Sequence, residues 1–189
     1  MRIIGGAFRG LALASVGKGD AGAHLRPTTD RVRESLFNVL LGGRYGSPIE
    51  GSRVLDLFAG TGALGLEALS RGAADVTFVD DGRKAISLIK DNIRKCKSSE
   101  AATVINRDAT RLPENTDAGF DLLFVDPPYG KGLGQMAVTC ALAQGWIAQD
   151  ALVVFEDNTA CGPLAGFDVV DTRRYGDTHI SFLTVHSEK

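Results

Sequence analysis

The chemistry of this chain gathers where short apolar runs end in an acid. Phe120-Asp121-Leu122-Leu123-Phe124-Val125 leads into Asp126-Pro127-Pro128-Tyr129, a carboxylate followed by two prolines and an aromatic ring. The prolines fix φ and remove two backbone N–H donors, so the corner is stiff and sets acceptors beside a flat apolar surface. It suits a planar amine. The Asp126 carboxylate and the Pro127 carbonyl accept from an exocyclic NH2 group, and Tyr129 stacks on the ring that carries it. An isolated Asp-Pro-Pro-x equally describes a βα turn that stops a strand, so the rest of the chain decides.

Three further acids stand at strand ends. The first lies in Leu55-Asp56-Leu57-Phe58-Ala59-Gly60-Thr61-Gly62-Ala63-Leu64-Gly65, where glycines let a backbone approach a ligand and the following helix adds a positive end. Gly60-x-Gly62-x-x-Gly65 matches the dinucleotide fingerprint, and Asp80 stands where an acid would accept from ribose hydroxyls. A nicotinamide cofactor and S-adenosylmethionine therefore compete. Asp56 favours the second, whose amino acid ammonium an acid there neutralises directly or through water; a nicotinamide dinucleotide offers it no cation. Asp108-Ala109, at the third strand end, meets an adenine edge, with the carboxylate accepting from the N6 amine and a backbone N–H donating to a ring nitrogen. The expected cofactor site is thus Asp56, Ala59, Gly60, Thr61, Gly62, Asp80, Asp108 and Ala109. The expected catalytic corner is Asp126, Pro127 and Tyr129, and the reaction is methyl transfer to nitrogen. Each acid alone reads as a cap or turn residue; four in register do not.

Several elements must hold these residues in place. Residues 2–15 alternate loosely around Gly5-Gly6 and Gly10, which predicts a β-hairpin, and a loop follows to His24. Pro27-Thr28-Thr29-Asp30 starts a helix whose Val32, Leu36, Val39 and Leu40 pack, with Arg31, Arg33 and Glu34 on or near the other side. From Ser52 strand and helix alternate: Val54 to Phe58, Leu64 to Ser70, Val76 to Asp80, Lys84 to Cys96, Thr103 to Asn106, Leu122 to Asp126, Gly134 to Ala148, Leu152 to Glu156. That pattern predicts an α/β fold, a parallel sheet with helices on both faces. Segments near Phe167 to Val170 and His179 to Val185 close it as an antiparallel pair. One domain over 1–189 is expected, with 1–25 as an N-terminal extension and 26–189 as the catalytic core. Ligands in such a sheet collect at the carboxyl ends of the strands.

At 189 residues, 44% hydrophobic and 23% charged, the chain is long enough to bury a core. The net charge of −2 argues against indiscriminate binding of nucleic acid but allows a local basic face. Up to Glu50 seven basic residues face four acidic ones, a net of +3, which leaves −5 for the remainder. That asymmetry fits Arg2, Arg9, Arg26, Arg31 and Arg33 contacting phosphates, with solvated surface charge as the plain alternative. Cys96, Cys140 and Cys161 are widely spaced, so neither a disulfide framework nor a metal site is indicated. The N-terminus turns polar too soon for a signal peptide, and no apolar stretch nears the ~20 residues of a membrane span. The expectation is a cytoplasmic protein without membrane partners and, with no sign of an obligate interface, a monomer.

With these residues in view, the chain resembles the RsmD-type bacterial methyltransferases, which modify N2 of guanine 966 in 16S ribosomal RNA. The likeness covers nearly the whole length. Its most specific pieces are Arg26-Pro27-Thr28-Thr29-Asp30-Arg31-Val32-Arg33-Glu34-Ser35-Leu36-Phe37-Asn38, then Leu55 through Ser70, then Phe120 through Tyr129. Arg2-Ile3-Ile4-Gly5-Gly6-x-x-Arg9-Gly10 is similar to the family's N-terminal hairpin. The resemblance implies a Rossmann-like S-adenosylmethionine-dependent methyltransferase fold, a seven-stranded mostly parallel sheet with an N-terminal β-hairpin extension. It also implies S-adenosylmethionine as methyl donor and 16S rRNA as substrate, in the small ribosomal subunit or its assembly intermediate, with no DNA. In one departure, the second strand commonly ends in Glu, whereas here Asp80 is followed by Asp81, so either acid could hold the ribose. An adenine-N6 nucleic-acid methyltransferase would share the pocket, although the length leaves little room for a target-recognition domain. A nicotinamide oxidoreductase leaves Asp56 and the Asp126 corner unexplained. A non-catalytic ribosome-assembly factor would have lost an acid or a glycine.

Overall fold

The structure, a computed structural model, describes residues 1–15 and 29–186. Seven strands form one sheet: β1 (Arg53–Leu57), β2 (Asp75–Asp80), β3 (Ala102–Asn106), β4 (Phe120–Val125), β5 (Ile147–Asp157), β6 (Phe167–Tyr175) and β7 (Thr178–Val185). Their order is β3-β2-β1-β4-β5-β7-β6, with β1 to β5 parallel and β7 antiparallel to both β5 and β6. The expected mostly parallel α/β sheet with its closing antiparallel pair is what forms. The chain winds outward from β1 to β3 and then returns to lay β4 on the other side of β1. A reversal of this kind opens a crevice at the carboxyl ends of the two central strands.

The helices are α1 (Asp30–Leu41), α2 (Ala63–Ser70), α3 (Arg83–Lys95) and α4 (Leu133–Ala143). Leu36, Phe37 and Leu40 of α1, Leu64 and Leu66 of α2, and Ile89 and Ile93 of α3 cover one face of the sheet, against Val54, Phe78, Leu122, Phe124 and Val154. On the other face Ala137, Val138 and Ala141 of α4 pack with Leu55, Leu123, Val153 and Phe155. Strands buried on both faces read as continuous apolar runs, which is why these were visible in the sequence. Gly65 brings α2 close to β2: a Cβ there would fall 2.4 Å from the Phe78 ring. Helix α4 is shorter than expected. It stops at Ala143, with Gly145 left-handed at φ 75°, and the apolar Trp146-Ile147 run belongs to the loop and β5 instead.

The N-terminal segment pairs as a hairpin without becoming two regular strands. Ile3 N donates to Leu11 O at 3.0 Å, Gly10 N to Ile3 O at 2.9 Å and Leu13 N to Met1 O at 3.1 Å, around a 3-10 turn at Gly6–Phe8. Its polar backbone is satisfied by the helix layer. The Glu67 carboxylate of α2, fully buried, accepts from Ile4 N and Gly5 N, each at 2.8 Å, and from Arg71 Nε at 2.7 Å. Ser70 Oγ accepts from Phe8 N at 2.8 Å. On α3, Asn92 accepts from Ala14 N at 2.6 Å and donates to Ala14 O at 3.1 Å.

The same segment corrects the expected placement of Arg33. Its side chain is fully buried rather than turned to solvent, and Arg33 Nη2 donates to Arg2 O at 2.6 Å and to Asp30 at 2.7 Å. Burial lowers its pKa against the pull of Asp30 and Glu67, and its Nε and Nη1 find no hydrogen-bond partner among the described residues. Arg33 is a tie between α1 and the N-terminal segment, closed to RNA. Arg31, one residue away, is exposed, while Arg26, Pro27 and Thr28 lie outside the described residues. Truncating Glu67 to Ala leaves two backbone donors and a buried guanidinium without their acceptor. Urea unfolding should then show a stability loss of about 3–5 kcal/mol; a loss below about 1 kcal/mol would remove Glu67 from this role.

Candidate active site

Strand register builds the site. Leu57 pairs with Val79 and with Val125, and Val125 pairs with Phe155. All four belong to the core on the α4 side, so the acids that come next, Asp80, Asp126 and Glu156, turn to the opposite face in one row across the strand ends. The loop after β1 rises through the middle of that row.

This loop is backbone held in unusual conformations. Phe58, Gly60 and Gly62 all have positive φ, at 59°, 59° and 77°. For a phenylalanine that is a strained position, of the kind that collects at ligand sites. Ala59 N donates to Val79 O at 3.1 Å, Gly62 N to Ala59 O at 2.7 Å, and Asn92 Nδ2 donates to Thr61 O at 2.9 Å. Asp80 accepts from Gly60 N at 2.9 Å through one oxygen and from Gly82 N at 2.8 Å through the other. The structure thus turns Asp80 into the loop and leaves Asp81 exposed. Burial, ahead of its neighbours, pushes the Asp80 carboxyl up.

Beneath the loop Asp56 is 2% exposed and accepts from Gly65 N at 3.0 Å. Burial pushes its carboxyl up to about 8, the Gly65 amide works against this, and the Asp80 charge adds to it. The protonated form of Asp56 is therefore favoured near neutral pH. Asp108 is different. It caps the 3-10 turn Ala109–Arg111, accepting from the Thr110 amide at 2.8 Å and its hydroxyl at 2.7 Å, and these bonds hold its carboxyl below the usual range. The cap reading is realised there, beside Ala109, which is buried. Arg107 N donating to Asp80 O at 3.0 Å keeps this strand end next to β2.

On the other side of the loop, Asp126 N lies 3.5 Å from Leu57 O, which draws the Asp-Pro-Pro corner against β1. Pro127 is buried, and a Cβ on Gly134 of α4 would fall 2.9 Å from its ring and 2.6 Å from that of Phe155. Tyr129 is anchored by its hydroxyl, which donates to Glu156 Oε1 at 3.0 Å and lies 3.4 Å from Thr178 Oγ1. Burial first, then the Glu156 and Asp126 carboxylates, push the Tyr129 pKa well up, so the hydroxyl remains a donor. Glu156, only 6% exposed, was missed as a site residue in the sequence, although its apolar run ends in an acid as those of Asp80 and Asp126 do. What the sequence withholds is that β5 lies beside β4.

The structure thus brings Asp56, Ala59 to Gly62 and Asp80 into one cluster, with Asp126, Pro127 and Tyr129 next to it across β1. A shallow cavity of about 570 Å3 between the 161–167 loop and β6, with the Asp168–His186 pair at its rim, is lined by none of these residues. Among the described residues no group of three or more His, Cys, Asp or Glu could hold a metal ion, and no helix is long and apolar enough to cross a membrane.

Residues 1–184 match the model of the family described as Conserved hypothetical protein 95. The chain is 38% identical over 187 residues to the putative rRNA methyltransferase YlbH of Bacillus subtilis, covering 96% of this chain and 97% of that one. It is 38% identical over 162 residues to ribosomal RNA small subunit methyltransferase D of Escherichia coli, covering 86% and 77%. A solved putative methyltransferase of Escherichia coli superposes with a TM-score of 0.83 at 33% identity, over 100% of this chain and 99% of that one.

The buried acid gives a pH prediction. A carboxyl whose folded pKa lies near 8, against 3.8 when unfolded, makes the folded state bind the extra proton. Stability of the ligand-free protein therefore falls as pH rises from about 4 to about 8 and levels above that. Asp56→Asn should flatten this slope in thermal melts across that range; an unchanged slope assigns it to other groups.

Proposed function

Because the chain belongs to the Conserved hypothetical protein 95 family, that of the RsmD-type rRNA methyltransferases, we propose that it transfers a methyl group from S-adenosylmethionine to N2 of a guanine, guanine 966, in 16S rRNA. The observation that carries this reading is the adjacency, across β1, of the glycine loop with its two acids and the Asp126-Pro127-Pro128-Tyr129 corner. The donor set fits the cofactor. The loop at Gly60 and Gly62, both at positive φ, offers backbone without side chains to the cofactor, Asp80 offers acceptors for ribose hydroxyls, Ala109 and Asp108 meet the adenine, and Asp56 meets the ammonium. S-adenosylmethionine, when bound, supplies an electrophilic methyl group.

The remaining work falls to the chain's own residues. An aromatic amine is a poor nucleophile because its lone pair is delocalised into the ring. Asp126 and the Pro127 carbonyl accept from its two N–H groups, which favours a more tetrahedral nitrogen and aims the lone pair. Tyr129, its hydroxyl fixed on Glu156, holds the base by stacking. Once the methyl has moved, the nitrogen carries an acidic proton, which Asp126 or water removes. The guanine enters unpaired or flipped. Arg2, Arg9 and Arg31, all exposed, meet phosphates beside the site, and the substrate is the small ribosomal subunit or a precursor of it. The protein acts in the cytoplasm as a monomer, a single domain over its length.

Three measurements test this. Asp126→Ala should abolish labelling of unmodified 16S rRNA or small subunits while S-adenosylmethionine still binds; label retained, or found on an adenine N6, refutes the assignment. Cofactor binding at pH 7 should release about one proton, because the ammonium returns Asp56 from a pKa near 8 to its ionised form; titration in buffers of different ionisation enthalpy measures it, and no release removes Asp56 from the cation. Arg9→Glu and Arg31→Glu should each reduce the salt slope of RNA binding by about 1, and unchanged slopes would place the RNA elsewhere.

A further inference from the structure

The Asp126 corner accepts any planar amine, so something else must separate guanine from adenine. We infer that Glu156 is the residue that does so, as the acceptor for guanine N1–H; this rests on the reaction proposed above. On its pairing edge guanine presents two adjacent donors, N1–H and the N2 amine. Adenine presents an amine beside N1, which is an acceptor. A site that reads guanine by this edge needs a second acceptor next to the one that takes the amine. The strand register supplies it. Val125 of β4 pairs with Phe155 of β5, so Asp126 and Glu156 follow as neighbours on adjacent parallel strands, which lie about 4.8 Å apart. Tyr129 joins them: its hydroxyl donates to Glu156 Oε1 at 3.0 Å and feels the charge of both acids. A carboxylate has about four lone-pair sites, so it can accept from several donors at once, the tyrosine hydroxyl among them. Glu156 is also 6% exposed, and in that setting adenine, whose N1 has no proton to give, leaves the acceptor without the donor that guanine supplies.

The test uses RNA in which the methylated guanine is replaced by 2-aminopurine. This base keeps the N2 amine but carries an acceptor at N1. It also lacks O6, a loss common to every protein variant that cancels when variants are compared. Glu156→Gln is expected to lower kcat/KM for guanine RNA about 10- to 100-fold and to change that for 2-aminopurine RNA less than about 3-fold, so the guanine preference collapses. Tyr129→Phe keeps the carboxylate and is expected to keep the preference. Equal preference in wild type and Glu156→Gln overturns the inference. So does an equal collapse in Tyr129→Phe, which would make Glu156 a support for the ring. Cofactor binding by each variant reports that it is folded. Competition gives a second reading: the advantage of RNA with inosine, which has N1–H and O6 but no amine, over RNA with 2-aminopurine should fall at least about 10-fold from wild type to Glu156→Gln, the O6 difference cancelling between the two proteins, and an unchanged advantage overturns the inference. Methylation by wild type of the adenine-substituted RNA, or of no RNA, would instead defeat the reaction itself.

Discussion

The ligand end of this protein depends on four parallel strands, β2, β1, β4 and β5, keeping one register. A slip of one residue in any of them would turn an acid from the cleft into the apolar layer beneath α4, where a carboxylate has no donor. The register is held from below by Val79, Leu57, Val125 and Phe155, side by side in one core, so packing of ordinary aliphatic and aromatic groups fixes the relative height of the polar ones. Of the acids gathered above, Asp80 is close enough to Asp56 to help burial raise its pKa. Backbone amides moderate this repulsion: Gly60 and Gly82 donate to Asp80, and Gly65 to Asp56. The glycine loop and the helix that follows it thus supply amides to the acids around them.

A second set of charges, with Glu67 and Arg33 fully buried at its centre, sits in the helix layer. Glu67, Arg71, Arg33 and Asp30 are tied to one another or to the backbone of residues 2 to 5. Such groups are costly to bury unless each finds a partner. Here the partners are the amides and carbonyls of a segment too short and too irregular to satisfy itself as a hairpin. The charges thus specify where that segment lies across α1, α2 and α3.

Much of this was legible in the sequence. Strands β2, β4 and β5 appear as apolar runs that close on an acid, and the glycines after Asp56 mark the loop that follows β1. Arg33 was misread because charge was weighed before spacing. It falls with Leu36, Phe37 and Leu40 at i, i+3, i+4 and i+7, the buried stripe of α1. Glu156 escaped because strand order is not written in any local pattern: its acid matters only once β5 is known to lie beside β4. The end of α4 was overrun because Trp146-Ile147 prolongs an apolar stretch that Gly145 has already turned away from the helix.

Asn92 is a single buried amide with two clients. It bonds both faces of Ala14 in the N-terminal segment and the carbonyl of Thr61 in the glycine loop. Two regions far apart in the sequence thus share one rigid group, and ordering either fixes the rotamer on which the other relies. A displacement at either end of this amide is therefore passed to the other, since one side-chain position serves both hydrogen-bond sets.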